Sequence, residues 1–215
     1  MVFKVYGNRD YAASKRVATV LLEKHVPFEL IEVDSASGEH KSPAFLEKQP
    51  FGQTPYIDDD GFILYESRAI CRYIATAYAY QGTSLIPTDP QENALFEQAA
   101  SIELTNFDPP ALAAIFEGFY RPVVHGEATD TLALTEHMKK LGSKLDVYDV
   151  ILGKQRYLAG EEVTLADLFH LPNGELLLDI GCNFLSARPN VARWWKDIST
   201  RLSWLSVKDG INSTT

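Results

Sequence analysis

"QPFGQTPYIDDDGFILYESRAICRYIA", residues 49–75, decides the fold. Tyr56 and Ile57 open a β-type run directly after Pro55, Asp59-Asp60-Gly61 is a hairpin turn signal, and Phe62 to Tyr65 form the return strand. Ala69, Ile70, Tyr73, Ile74 and Ala77 then recur at helical spacing. The segment therefore reads as an antiparallel hairpin followed by a helix. Working upstream, Val2 to Tyr6 is a short strand that breaks at Gly7-Asn8, and Val17, Val20, Leu21 and Leu22 mark a helix from about Ser14 to Val26-Pro27. Phe28 to Val33 is a second strand, expected to be buried on both faces or nearly so. A strand, a crossover helix and a second strand must pair in parallel. "DSASGEHKSP" is a polar loop, and "PAFLEKQP" a short helix bounded by prolines.

Working downstream, Gly82, Pro87 and Pro90 punctuate a linker, after which the periodicity is helical throughout. One helix is expected from about Gln91 toward Tyr120, interrupted or bent near Asp108-Pro109-Pro110. Others span about Thr131 to Leu152, follow Thr164, and run through "PNVARWWKDISTR". Thr164 with Asp167 three residues later is a capping box, and Val163 and Leu168 can close a hydrophobic staple across it. The expected division is a mixed α/β domain over 1–81, a linker over 82–90 and an all-helical domain over 91–215.

The formal charge of -9 argues against a general nucleic-acid binder, which would carry a basic patch or a high isoelectric point. The two cysteines, Cys71 and Cys182, fall in helical patterns and read as buried free thiols; they support neither a disulfide framework nor a metal site. The opening residues do not form a signal peptide, and no run approaches a membrane span. The expectation is a soluble cytoplasmic protein without membrane or nucleic-acid partners. The Asn212-Ser213-Thr214 sequon then reads as chance.

Three short stretches carry candidate chemistry. Pro55 lacks an N–H and suits the first position of a strand. If the bond before it is cis, the main chain of Thr54 turns outward, free to pair with an extended peptide; a trans proline opening the strand is the plainer alternative. Ser67 fits as the cap of the helix beginning near Arg68, whose start offers N–H groups to a carboxylate, with Glu66 beside it for an ammonium. His40-Lys41, in the polar loop, offers a point charge to a second carboxylate, or is simply solvated.

Together with "GEHKSPAFL", "KLDVYDVILGKQRYLAGEEVTLADLFHL" and "PNVARWWKDIST", these stretches resemble the cytosolic glutathione transferases, in particular the phi class of plants and fungi. The resemblance covers most of the chain in order. It implies a thioredoxin-like N-terminal domain, an all-α C-terminal domain, a homodimer, and glutathione as co-substrate with no metal or other cofactor. By position, His40 and Lys41 match residues that bind the glycine carboxylate of glutathione. Gln53 and Thr54 match the pair around its cysteinyl backbone, Pro55 the cis-proline, and Glu66 and Ser67 the γ-glutamyl contacts. Phe51 matches the aromatic wedge inserted into the partner subunit, the alternative being an intrachain core residue.

One position departs from the family. The phi class keeps its activating serine five residues before the arginine of the first helix; here that arginine is Arg16 and the position holds Tyr11. A free thiol with a pKa of ~8.5 is only about 3% thiolate at pH 7, and the thiolate is the nucleophile. A hydroxyl donating to sulfur, helped by a helix N-terminus, can lower that pKa. Tyr11 is the first candidate, Ser14 the second (or else the cap of the first helix) and Tyr6 the third, with backbone N–H groups also open. Arg16 reads as structural or as a contributor of field. The electrophile site is expected between the domains along "PPALAAIFEGFY", with Phe107, Ile115 and Phe119 as lining, although each equally suits helix core. The function implied is conjugation of the glutathione thiolate to small apolar electrophiles, a detoxification chemistry, with reduction of organic hydroperoxides as a possible second activity. The rival is a non-catalytic, ligandin-type carrier of glutathione or apolar ligands.

Overall fold

The computed structural model describes residues 2–184 and 188–215. They form two compact units, Met1–Ile86 with Arg201–Thr215, and Pro87–Thr200.

In the first unit, β1 (Phe3–Gly7), α1 (Ala12–Glu23) and β2 (Phe28–Glu32) are followed by a 3-10 turn at Glu39–Lys41 and by α2 (Pro43–Leu46). The hairpin of β3 (Tyr56–Asp59) and β4 (Phe62–Tyr65) leads into α3 (Ser67–Ala77). The sheet order is β2-β1-β3-β4. β1 pairs with β2 in parallel and with β3 antiparallel, as the crossover argument requires. At the hairpin tip Asp60 and Gly61 take φ 54 and 89, and the Asp58 carboxylate accepts from the Gly61 N–H at 2.7 Å. Two successive positive φ values match the twist of the flanking strands. α1 and α3 pack against each other, and Val5, Val17, Val20, Leu21, Ile57, Ile70 and Ile74 are all fully buried. The helical repeat read from sequence is thus the inward face. α1 ends with His25 at φ 53, and the Val26 N–H closes back onto the Leu21 carbonyl at 2.9 Å.

β2 is not buried on both faces. It is an edge strand in which Phe28 is buried and Glu32 exposed. Its outer edge is met by the last residues described: the Phe28 and Leu30 N–H groups donate to the hydroxyls of Thr214 and Ser213, each at 2.9 Å. Residues 201–215, expected with the helical domain, therefore pack with the sheet unit instead. A second tie explains this. The buried Glu23 carboxylate accepts from Arg201 Nε at 2.6 Å and Nη2 at 2.7 Å, from Thr83 Oγ1 at 2.6 Å, and from Ser203 Oγ. The start of the expected linker is held at the same point: the Thr83 N–H donates to the Glu23 carbonyl, and the buried Lys24 ammonium donates to the Thr83 carbonyl.

In the second unit, α4 (Pro90–Ile102) is capped by Asp89, whose carboxylate accepts from the Gln91 and Glu92 N–H groups. It runs through a π-helical stretch, Glu103–Phe107, into α5 (Asp108–Ile115), and a second π-helical stretch covers Phe116–Val124. The sequence predicted an interruption at Asp108-Pro109-Pro110. The chain stays helical there, with the wider turn directly ahead of the two residues that lack an N–H. α6 (Thr131–Leu152) is followed by α7 (Leu165–Leu168), α8 (Leu171–Asp179) and α9 (Pro189–Ser199); α10 (Leu202–Leu205) belongs to the first unit. Gly174 lies against Trp195, and a Cβ there would sit 2.3 Å from the indole ring.

The capping box is present. Asp167 Oδ2 accepts from the Thr164 N–H at 2.8 Å, while Oδ1 accepts from the Leu158 N–H and from Trp194 Nε1, each at 2.9 Å. Burial pushes the Asp167 pKa up, and these donors pull against it. Among the described residues no helix is long and apolar enough to cross a membrane.

Two stability outcomes follow from these buried carboxylates. Asp167→Ala strands three buried N–H donors and is expected to cost roughly 3–5 kcal/mol in chemical denaturation. At Glu23, burial alone would raise the pKa, but the bonds from Arg201, Ser203 and Thr83 hold it below its ordinary 4.5. A depressed folded-state pKa contributes stability that is present above 4.5 and fades as pH falls through the folded value. The stability gap between the native chain and Glu23→Gln, roughly 2–4 kcal/mol at pH 7, should therefore be constant from pH 6 to 8 and narrow below about pH 4.5. Denaturation midpoints measured across pH check this.

Candidate functional site

The candidate site lies at one edge of the sheet unit and is assembled from four segments. The first is the turn leaving β1. Gly7 is buried, and a Cβ there would meet Ser14 Oγ at 2.5 Å and Pro55 Cβ at 3.3 Å. Gly7 thus lets the turn, α1 and the start of β3 come together. The second is the start of β3, where the Thr54–Pro55 bond is cis. The outward-turned main chain read as one alternative therefore has its geometric basis, and Thr54 forms no backbone hydrogen bond among the described residues.

The third segment is the 39–41 turn, which is joined to the 51–52 loop. Lys41 Nζ donates to the Phe51 carbonyl at 3.1 Å and the Gly52 carbonyl at 2.7 Å. Gly52 takes φ +59, and a Cβ there would be 2.8 Å from the His40 carbonyl, so glycine is required on both counts. The half-buried His40 keeps its Nδ1 sealed from solvent and without a hydrogen-bond partner among the described residues. Gln53 is exposed, with its N–H on Gln49 Oε1 at 3.3 Å.

The fourth segment is the start of α3. Tyr56 pairs with Tyr65, which sets Pro55 beside Glu66. Ser67 is the first helical residue; the cap position is Glu66, one residue earlier than predicted. Glu66 is exposed at φ 69, ψ 106, a conformation that costs a side chain of this kind on the order of 1–3 kcal/mol. Ser67 is buried, and Arg16 Nη1 donates to its hydroxyl at 3.0 Å. Arg16 is structural here, in that it ties the starts of the two helices together.

The three candidate hydroxyls occupy different surroundings. Tyr11 holds the cap position of α1, is 43% exposed, and its side chain caps nothing. Ser14 is not the cap; it is the third residue of α1, fully buried, with an unpartnered Oγ facing Gly7. Gly7 and Val5 face α1, so the alternating Tyr6 points to the opposite side of the sheet. There it stacks on Tyr56 with ring centroids 4.5 Å apart, beside the cluster of Val33 and Phe45.

The expected apolar lining is corrected in part. Phe107 is 2% exposed and packs on His170 at 4.5 Å, and Ile115 is fully buried, so both are core of the helical unit. Phe119 is half-buried beside Tyr120. The exposed apolar stripe on the same helix is Leu104, Leu112 and Phe116, one face away. A helix this apolar on all sides does not announce its inward face. Phe51 is 64% exposed, which removes the core alternative. A cavity of about 520 Å³ in the helical unit, among Met138, Leu141, Cys182 and Arg188, contains none of these residues. Both cysteines are buried free thiols, and burial pushes Cys71 up to about 12. No cluster of three or more metal-ligating side chains occurs among the described residues.

Comparison with known proteins bears on this geometry. Residues 1–76 match the glutathione S-transferase N-terminal domain and residues 112–201 the glutathione S-transferase C-terminal domain. Glutathione S-transferase PM239X14 of Arabidopsis thaliana is 42% identical over 196 residues, covering 89% of each chain. The crystal structure of glutathione transferase F2 from Populus trichocarpa superposes with a TM-score of 0.91 at 43% identity, covering 96% of this chain and 97% of that one. Glutathione S-transferase I from mais, solved in complex with an atrazine glutathione conjugate, gives 0.90 at 31% identity with 97% of both chains covered. These relatives carry transferase names, so the carrier alternative finds no support among them. The cis-proline edge, the charged start of α3 and the two matching domains lead to one conclusion: this chain belongs to the glutathione S-transferase family, among the phi-class enzymes.

Proposed function

We propose that this chain binds glutathione along the 52–55 edge and the start of α3, and that Tyr11 activates its thiol for attack on apolar electrophiles. The observation that carries the reading is the meeting of four polar elements on one edge: the cis Thr54–Pro55 bond, the bonded pair of Lys41 and the 51–52 loop, the half-buried His40, and the strained Glu66 ahead of Ser67. An extended tripeptide with two carboxylates and one ammonium matches this set. Main-chain pairing at Thr54 holds its centre, with Gln53 alongside. His40 and Lys41 take one carboxylate, the N–H groups at the start of α3 with Ser67 take the other, and Glu66 takes the ammonium.

Of the three hydroxyls, Tyr11 alone is both accessible and at the head of a helix. Its O–H donates to the sulfur and stabilises the charged form, and the helix start adds partial positive charge. The thiol proton leaves to solvent, the thiolate forms a C–S bond, and the electrophile's leaving group departs with the electron pair. Ser14, sealed under Gly7, serves packing. We assign the exposed Phe51 to a homodimer wedge.

Two variants separate the hydroxyls. Tyr11→Phe should lower turnover of an aromatic halide at pH 7 by at least tenfold and move the rate's rise to higher pH. Ser14→Ala should leave that pH profile in place; the opposite pattern would reassign the activator. Glu66→Gly removes the backbone penalty and the ammonium partner together. It should raise stability by roughly 1 kcal/mol once the added freedom of the unfolded chain is counted, while abolishing retention on immobilised glutathione. Unchanged retention would remove Glu66 from the site.

A further inference from the structure

We infer that residues 207–211 are a positioning element for thiol activation: they clasp the turn of residues 8–11 and so hold the Tyr11 hydroxyl at the head of α1. The inference rests on the assignment of Tyr11 made above. Nothing in that turn is regular structure, and Tyr11 itself is anchored only through its backbone, with its N–H on the Asn8 carbonyl at 3.3 Å and its carbonyl accepting from the Lys15 N–H at 2.9 Å. The constraint comes from far along the chain. The Ile211 N–H donates to the Arg9 carbonyl at 3.1 Å. Gly210, at φ +129, lies against the Arg9 guanidinium, and a Cβ there would sit 2.7 Å from its terminal nitrogen. Lys15, in the first turns of α1, donates through Nζ to the Lys208 carbonyl at 2.7 Å. Val207 and Ile211 are both 2% exposed, so this stretch is itself seated in the unit.

The clasp grips the turn on one side, and β2 grips it on the other. The Arg9 N–H faces Glu32 Oε2 at 3.4 Å. Of these ties, the one from Ile211 to Arg9 joins two backbone groups, whereas those to Lys208 and Glu32 use the Lys15 ammonium and the Glu32 carboxylate. A hydroxyl activates a thiol only within hydrogen-bond reach, and a displacement of 1 Å forfeits most of the effect. Tyr11 is 43% exposed and its side chain caps nothing, so its reach follows the position of the turn. The two hydroxyls further on, Ser213 and Thr214, meet the edge of β2 and not the turn, so edge cover and clasp are separable along one segment.

Gly210→Val, with Gly210→Ala as the milder form, pushes Arg9 aside and strains the φ +129 position. Three readouts apply to the full chain: ultraviolet titration of the enzyme-bound glutathione thiolate, KM for glutathione, and amide hydrogen exchange of residues 8–12. The expected result is a thiol midpoint raised by about one pH unit, equivalent to tenfold less thiolate below it. KM should stay within about twofold, and exchange should quicken in the turn but not in β1 or β3. The double variant Ser213→Ala with Thr214→Ala should lower the denaturation midpoint yet leave the thiol midpoint where it was. A Gly210→Val enzyme with unmoved thiol midpoint and unmoved exchange overturns the clasp, as does a double variant that shifts the thiol equally. Tyr11→Phe keeps the two ideas distinct. It should raise the midpoint without altering exchange; a midpoint that stays put refutes Tyr11 as the activator, while the Gly210→Val titration still decides the clasp by itself.

Discussion

The site depends on a buried guanidinium. Arg16 is 4% exposed inside the first unit, and a charge in that position is tolerable only where its donors find acceptors. One of those acceptors is Ser67 Oγ at 3.0 Å, and the bond joins the first turns of α1 and α3. The candidate contacts from Tyr11, Pro55, Glu66 and Ser67 are referred to those turns or to the start of the strand between them, and those of His40 and Lys41 to the 51–52 loop. The turn bearing Tyr11 enters α1, Glu66 enters α3, and Pro55 lies beside both through Gly7 and through the pairing of Tyr56 with Tyr65. Loss of Arg16 would remove this bond between the two helix starts and leave the Ser67 hydroxyl without that donor.

Glycines and uncommon backbone angles then bring the segments into reach. Gly7 admits Ser14 and Pro55, and Gly52 admits Lys41, which in turn bonds the loop carrying Phe51. Glu66 bears a positive φ that a glycine would adopt at no steric cost. A side chain retained there against that cost is consistent with a role in binding, because strain at such a position persists only where the surroundings impose it. Lys41 has two demands on it, the loop carbonyls now and a ligand carboxylate in the proposed complex. Its ammonium carries three donors, enough to meet both.

Much of this could be read from the residues in order. The period-two runs and the Asp59-Asp60-Gly61 turn announced the hairpin, and apolar residues three and four apart announced α1, α3 and α6, because these signals come from local sterics and a one-sided core. Thr164 with Asp167 announced the helix start that the structure contains. Other readings failed for want of long-range information. The burial of Phe107 and Ile115, against the exposure of Leu112 and Phe116, follows from which side of an apolar helix meets its neighbours. The place of residues 201–215 follows from Arg201 reaching Glu23, partners 178 residues apart.

The sequence by itself determined the local elements, the two-domain plan and the polar groups proposed to meet a tripeptide. Each of these is written in residue type and spacing over a few turns of chain. The tertiary structure alone decided that Ser14 is sealed and Tyr11 is open, that Tyr6 faces the other side of the sheet, and that a segment near residue 210 reaches the turn near residue 9. Accessibility and reach are properties of three-dimensional distance. Tyr6 and Tyr11, five residues apart and identical in chemistry, differ here only in what the folded chain places around them.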